Sequence, residues 1–87
     1  MEEYFKQIEK KLREKIKFEK FEIINNSEKH RGHKFFSEDS LHLKLNIKSS
    51  QLNSLSRINA QKLIMGILKE DLKKRIHALE ISIGYLH

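Results

Sequence analysis

Apolar residues recur along this chain with two different periods, and each period predicts a different kind of element. Over residues 41–48, LHLKLNIK alternates without a fault: Leu41, Leu43, Leu45 and Ile47 share one face, and His42, Lys44, Asn46 and Lys48 share the other. That period of two is the mark of a half-buried strand. Phe5, Ile8, Leu12 and Ile16 instead recur at helical spacing among lysines and acids, which predicts an amphipathic helix over about residues 3–17 with one core-facing stripe. KFEIIN, residues 20–25, sets Phe21 and Ile23 on one side of a short strand, with Ile24 out of pattern. A second helical period over 57–74 places Ile58, Ile64, Ile67, Leu68 and Leu72 near one face. A third strand is expected from Ile76. The stretch NSEKHRGHKFFSEDS and the linker SSQLNSLS keep no period and are expected to be loops. The predicted order is helix, strand, strand, helix, strand: an α+β fold with helices packed on one face of a small three-stranded mixed sheet.

Parity in the last strand raises a chemical question. Counted from Ile76, alternation puts His77, Leu79, Ile81 and Ile83 on the apolar face, and Ala78, Glu80 and Ser82 on the other. An imidazole taken out of water needs a hydrogen-bond partner or a metal. His77 is therefore a satisfied core histidine, a strand cap or a ligand. His30 and His33 lie in the long loop, His42 on the solvent side of its strand and His87 at the end of the sequence. A pair such as His30 and His77 suits a borderline-soft transition metal, yet two imidazoles do not complete a zinc site.

Composition narrows the classes of function. The 87 residues suffice for one domain, 1–87, with a modest core and little depth for a catalytic pocket. A net charge of +6 favours acidic partners or nucleic acid. The sequence has no cysteine, so it offers no disulfide, no thiolate ligand and no thiol nucleophile. No run approaches the roughly 20 apolar residues of a membrane span, and the charged opening MEEYFKQIEK has no apolar core segment, so a cytoplasmic location is expected. No G-x-S-x-G elbow, paired-carboxylate or H-E-x-x-H spacing occurs, so the chain is not expected to be an enzyme. Lys62, Lys69, Lys73 and Lys74 on the long helix are candidates for contact with DNA phosphates. A KH-type phosphate clamp would need a GXXG loop, whereas Gly32, Gly66 and Gly84 are each isolated.

Three segments together resemble the BolA family: NNSEKH after the first strand, LHLKL in the second, and LKEDLKKRIHAL running from the long helix into the third. The most specific part is IHAL, in which His77 matches the family's signature histidine at the start of the last strand. Asn25, Asn26, Ser27 and His30 match the family's first-loop segment, with Asn26 in place of an acidic residue, and His42 matches the histidine before an apolar residue and lysine. The chain departs from the family in having SQLN for Phe-x-Gly, and Ala60, Gln61 and Lys62 for a basic triplet. Its loop also carries an extra His33 beside Phe35 and Phe36. The resemblance implies a fold close to the class II KH arrangement and a heterodimer with a monothiol glutaredoxin. In such a pair a [2Fe-2S] cluster is bridged, with thiolates from the glutaredoxin and a bound glutathione on one iron and histidines of this chain on the other. By position His77 is the first ligand, and His30 the second with His33 its competitor. The implied role is a non-catalytic adaptor in iron–sulfur cluster trafficking or iron sensing. The alternative is a DNA-binding transcriptional regulator using a basic KH-like surface.

Overall fold

The computed structural model describes residues 2–27 and 41–84. Helix α1 (Glu2–Lys15) leads into strand β1 (Lys20–Asn25), and strand β2 (Leu41–Lys48) follows. Helices α2 (Ser50–Asn53), α3 (Arg57–Ile67) and α4 (Lys69–Lys74) then cross over to strand β3 (Ile76–Gly84). The sheet has the order β1-β2-β3, with β1 antiparallel and β3 parallel to β2. A parallel neighbour cannot be reached by a hairpin, so the three helices between β2 and β3 serve as the crossover. This is the expected α+β architecture with a mixed three-stranded sheet.

The core lies on one face of that sheet. Leu41, Leu43, Leu45 and Ile47 are buried against Tyr4, Ile8 and Leu12 of α1, Leu52 of α2, and Ala60, Ile64 and Leu68. Phe21 and Ile23 of β1 and Leu79, Ile81 and Ile83 of β3 pack at its margins. The alternate residues of β2 point away from the helices, and among the described residues the opposite sheet face carries no helix.

Three local expectations need correction. The linker contains α2, whose single turn is too short to show a period; Ser49 caps it by accepting from Leu52 N–H at 3.1 Å. The predicted long helix is two, broken at Leu68, whose backbone leaves helical geometry at φ −97°, ψ 17°. Ile58 is not on the core face but is 66% exposed. Ala60, Ile64 and Leu68 set the inward stripe, and Ile58 lies two residues, about 200° of helix rotation, from Ala60.

Ser49 is fully buried and also donates to the Lys17 carbonyl at 2.5 Å. It thus ties the α1–β1 connection to the start of α2. Ser49→Ala removes both hydrogen bonds, with an expected cost of about 1–2 kcal/mol. In a domain of this size the thermal midpoint should fall by roughly 5–15 °C. An unchanged melt would contradict this role.

Asp71 of α4 fastens α1 to the crossover. Its carboxylate accepts from Tyr4 Oη at 2.7 Å and Lys11 Nζ at 2.6 Å, and the Arg75 guanidinium lies 4.0 Å from the centre of the Tyr4 ring. Burial pushes the Tyr4 phenol above its ordinary range, and the hydrogen bond and charge of Asp71 push the same way. Burial disfavours the charged form of Asp71, but the hydrogen bonds donated by Lys11 and Tyr4, with the lysine charge, outweigh it and hold the carboxyl below its ordinary 3.8. A carboxyl depressed in the folded state stabilises the fold above its unfolded pKa, and the stabilisation disappears as pH falls through the folded one. Urea midpoints of the native chain and Asp71→Asn should differ by a constant amount above pH 5, and converge as the pH falls below 3.8. A difference independent of pH would show that the carboxylate charge contributes nothing.

Candidate functional site

The site is built at the joint where β3 begins beside β2. Leu41 is opposite Ile76, and both are buried, but the next pair is His42 opposite Ala78, followed by Leu43 opposite Leu79. One residue, His77, is extra on β3. Such a bulge leaves the inserted residue out of the ladder and re-aims its side chain. Ile76 and Leu79 both turn toward the core, three positions apart instead of two.

His77 is therefore exposed on the β3 edge and not on the core side. The parity expectation fails because the bulge shifts the alternation after Ile76. The sequence held a signal for this, since apolar residues at 76, 79, 81 and 83 are spaced three, two, two. An exposed imidazole has no burial cost to offset, so its nitrogens are accessible to a molecule arriving from outside.

The bulge brings His77 to His42, with ring centroids 5.3 Å apart and planes tilted by 46°. His42 projects from the outward side of β2, as its alternation predicts, and is half-buried there. Its backbone also holds the end of the chain that leaves β1. His42 N–H donates to Ser27 Oγ at 3.0 Å, and Asn26 N–H donates to the His42 carbonyl at 2.7 Å. Ser27, itself buried, donates its N–H to Asn25 Oδ1 at 2.9 Å, the turn that an Asx residue makes with the backbone two positions on. The Asn25-Asn26-Ser27 segment is thus fastened to the strand that carries His42. On the other side, Leu41 N–H donates to the Arg75 carbonyl at 3.0 Å and fixes the start of β3.

His30 and His33 lie outside the described residues. Among the described residues no group of three or more His, Cys, Asp or Glu is placed to hold a metal. Among the described residues the donors brought together at this joint are the imidazoles of His42 and His77, in a chain with no cysteine. Two imidazoles do not by themselves complete a metal site. Lys62, Lys69, Lys73 and Lys74 are exposed on α3 and α4, in the layer across the sheet from its helix-free face. On α3, Lys62 stands between Ile58 and Met65, both exposed apolar residues. No helix among the described residues is long and apolar enough to cross a membrane.

Comparison with known proteins agrees with this architecture. A family profile described as BolA-like protein matches residues 12–84. An uncharacterized protein in the cobS 5' region of Sinorhizobium sp is 37% identical over 77 residues, covering 86% of this chain and 83% of that protein. The UV-induced protein uvi31 of Schizosaccharomyces pombe is 32% identical over 79 residues, covering 86% of this chain and 78% of that protein. Among solved structures, the BolA domain of SufE1 from Arabidopsis thaliana superposes with a TM-score of 0.76 at 28% identity, covering 92% of this chain and 88% of that one.

Proposed function

Since this chain belongs to the BolA-like family, we propose that it is a non-catalytic adaptor that binds a monothiol glutaredoxin and shares a bridging [2Fe-2S] cluster with it. The observation that carries this reading is the bulge, which exposes His77 beside His42 at one joint of the sheet. His77 is the first ligand of this chain and His30 the second, with His33 its competitor. The glutaredoxin and its bound glutathione provide the thiolates that the sequence lacks. Nitrogen ligation on one iron raises a cluster's potential, as in Rieske centres.

Each described residue at the joint has a physical part in this role. The bulge sets the His77 ring outside the ladder, where it meets a partner without unfolding any strand. The His42 ring packs against it and limits its rotation, which lowers the ordering cost of ligation. Ser27, held against His42, fixes the point from which the loop departs. Three extended residues span about 10 Å at most, so the covalent chain itself limits how far His30 can lie from Ser27. The service of this domain is cluster trafficking or iron sensing.

The double substitution His30→Ala with His77→Ala separates ligation from docking. The variant should still co-elute with glutaredoxin while its complex lacks cluster absorption. A complex that keeps the native cluster spectrum would refute histidine ligation, and failure to co-elute would mean that the histidines serve docking itself.

Use of Lys62, Lys69, Lys73 and Lys74 for DNA is the weaker reading. A phosphate backbone laid along α3 would also cover the exposed Ile58 and Met65, and apolar side chains gain nothing from phosphate.

A further inference from the structure

We propose that the helix-free sheet face, at its end farthest from His42 and His77, binds the phosphate group of a small anionic molecule between Lys20 and Lys48. A cleft of about 630 Å³ lies there, lined by Lys20, Glu22, Asn46, Lys48, Ser82 and Gly84 among others. This volume is in the range of small-molecule sites. His42 and Lys48 are six residues apart along β2, roughly 20 Å of extended strand. The site is therefore separate from the proposed cluster joint and does not rest on that reading.

The outward face is a ladder of cross-strand rungs. Ile24, Lys44 and Glu80 make one, Glu22, Asn46 and Ser82 the next, and Lys20, Lys48 and Gly84 the last. Only the last sets like charges directly opposite each other, an arrangement that destabilises a sheet unless something neutralises it. The nearby carboxylates are otherwise engaged. Glu19 accepts from the Ser50 hydroxyl at 2.7 Å and the Ser50 N–H at 3.2 Å, and Glu22 accepts from the Asn46 amide at 3.0 Å. The ion pairs found among the described residues, Lys11 with Asp71 and Arg13 with Glu9, involve neither lysine.

Gly84 completes the arrangement. A Cβ at this position would come within 3.2 Å of both Cγ and Cε of Lys48, so the lysine stem lies close along β3 and would have to shift slightly to admit a side chain there. This is the close approach for which an in-strand glycine is suited. Two ammonium groups across one rung, with the Asn46 amide and Ser82 hydroxyl on the next, offer a phosphate both charge and hydrogen bonds. Glu22 on that second rung opposes a larger anion, which favours a compact phosphate held at the last rung.

The test titrates inorganic pyrophosphate into the isotope-labelled full chain and follows backbone amide shifts. Saturable shifts centred on Lys20, Lys48 and Gly84 are expected. The double variant Lys20→Ser with Lys48→Ser should bind at least about tenfold more weakly. Both lysines are exposed, and thermal melts should show the variant folded. Equal affinity in the double variant, non-saturable shifts, or shifts centred on Lys62, Lys69, Lys73 and Lys74 would overturn the site. So would a single-stranded oligonucleotide that binds at Lys20 and Lys48 and is not displaced by pyrophosphate, since the ligand would then be a nucleic acid.

Discussion

Replacing His77 by alanine should abolish the cluster spectrum of the complex with glutaredoxin while leaving the fold of this chain intact. His77 is exposed at a bulge and takes no part in the ladder on either side, so its removal opens no cavity. The expected change in stability stays within the roughly 0.5 kcal/mol typical of surface substitutions. On the proposed reading, an iron that loses His77 has no thiolate of this chain to turn to, because the sequence contains no cysteine. Reconstitution with glutaredoxin, glutathione, ferrous iron and sulfide, read by visible absorption and circular dichroism, should give a mixed-complex spectrum for the native chain. The variant should give only the spectrum of the glutaredoxin alone. His42→Ala is the informative control. Its ring lies against that of His77, so under the proposed ligation its loss should weaken cluster retention about tenfold, as the loss of an outer neighbour does. Equal and complete loss in both variants would make His42 a ligand in its own right.

The second large effect concerns the strand on which both sites depend. Leu45 is fully buried at the middle of β2, opposite Ile23 of β1 and Ile81 of β3. Both flanking strands are held by backbone pairing, and the inward side is filled by buried residues of α1, α2 and α3, so the site collapses only in part around a void. Leu45→Ala should therefore cost about 2–5 kcal/mol, against a total of roughly 4–13 kcal/mol for a domain of this length. Urea unfolding should show a much lower midpoint with an unchanged slope, since the area exposed on unfolding hardly changes. A loss below about 1 kcal/mol would mean that the sheet is not the centre of the core.

What could be read in the sequence followed how many residues enforce each pattern. β2 is unambiguous because four inward and four outward positions repeat one decision, and its outward face was read correctly down to His42. α1 was read within two residues of its ends, although Tyr4 takes the buried place at the start of its stripe and Phe5 only the margin. α2 has one turn, less than a helical period. The break at Leu68 also leaves no mark, because the apolar stripe continues through it. Ile58 was assigned inward since an apolar residue near a stripe looks like part of it, and only the position of Ala60 in the packed core shows otherwise. At the joint, the resemblance singles out His77 as a proposed ligand, and parity puts it on the wrong face. A single inserted residue reverses every face that precedes it, and the irregular spacing of Ile76 and Leu79 was its only trace. The nearness of His42 to His77 is not legible locally, because it depends on the register of two strands whose first residues are 35 positions apart in the chain.

Pulsed electron paramagnetic resonance on the reduced heterodimer, with the histidines of this chain alone labelled with heavy nitrogen, reads nitrogen ligation of the iron at its source. The account predicts strongly coupled imidazole nitrogen signals that change with the label and disappear in His77→Ala. A reduced cluster whose spectrum shows no nitrogen coupling from this chain would contradict it, and would leave the protein as a docking partner that holds no iron.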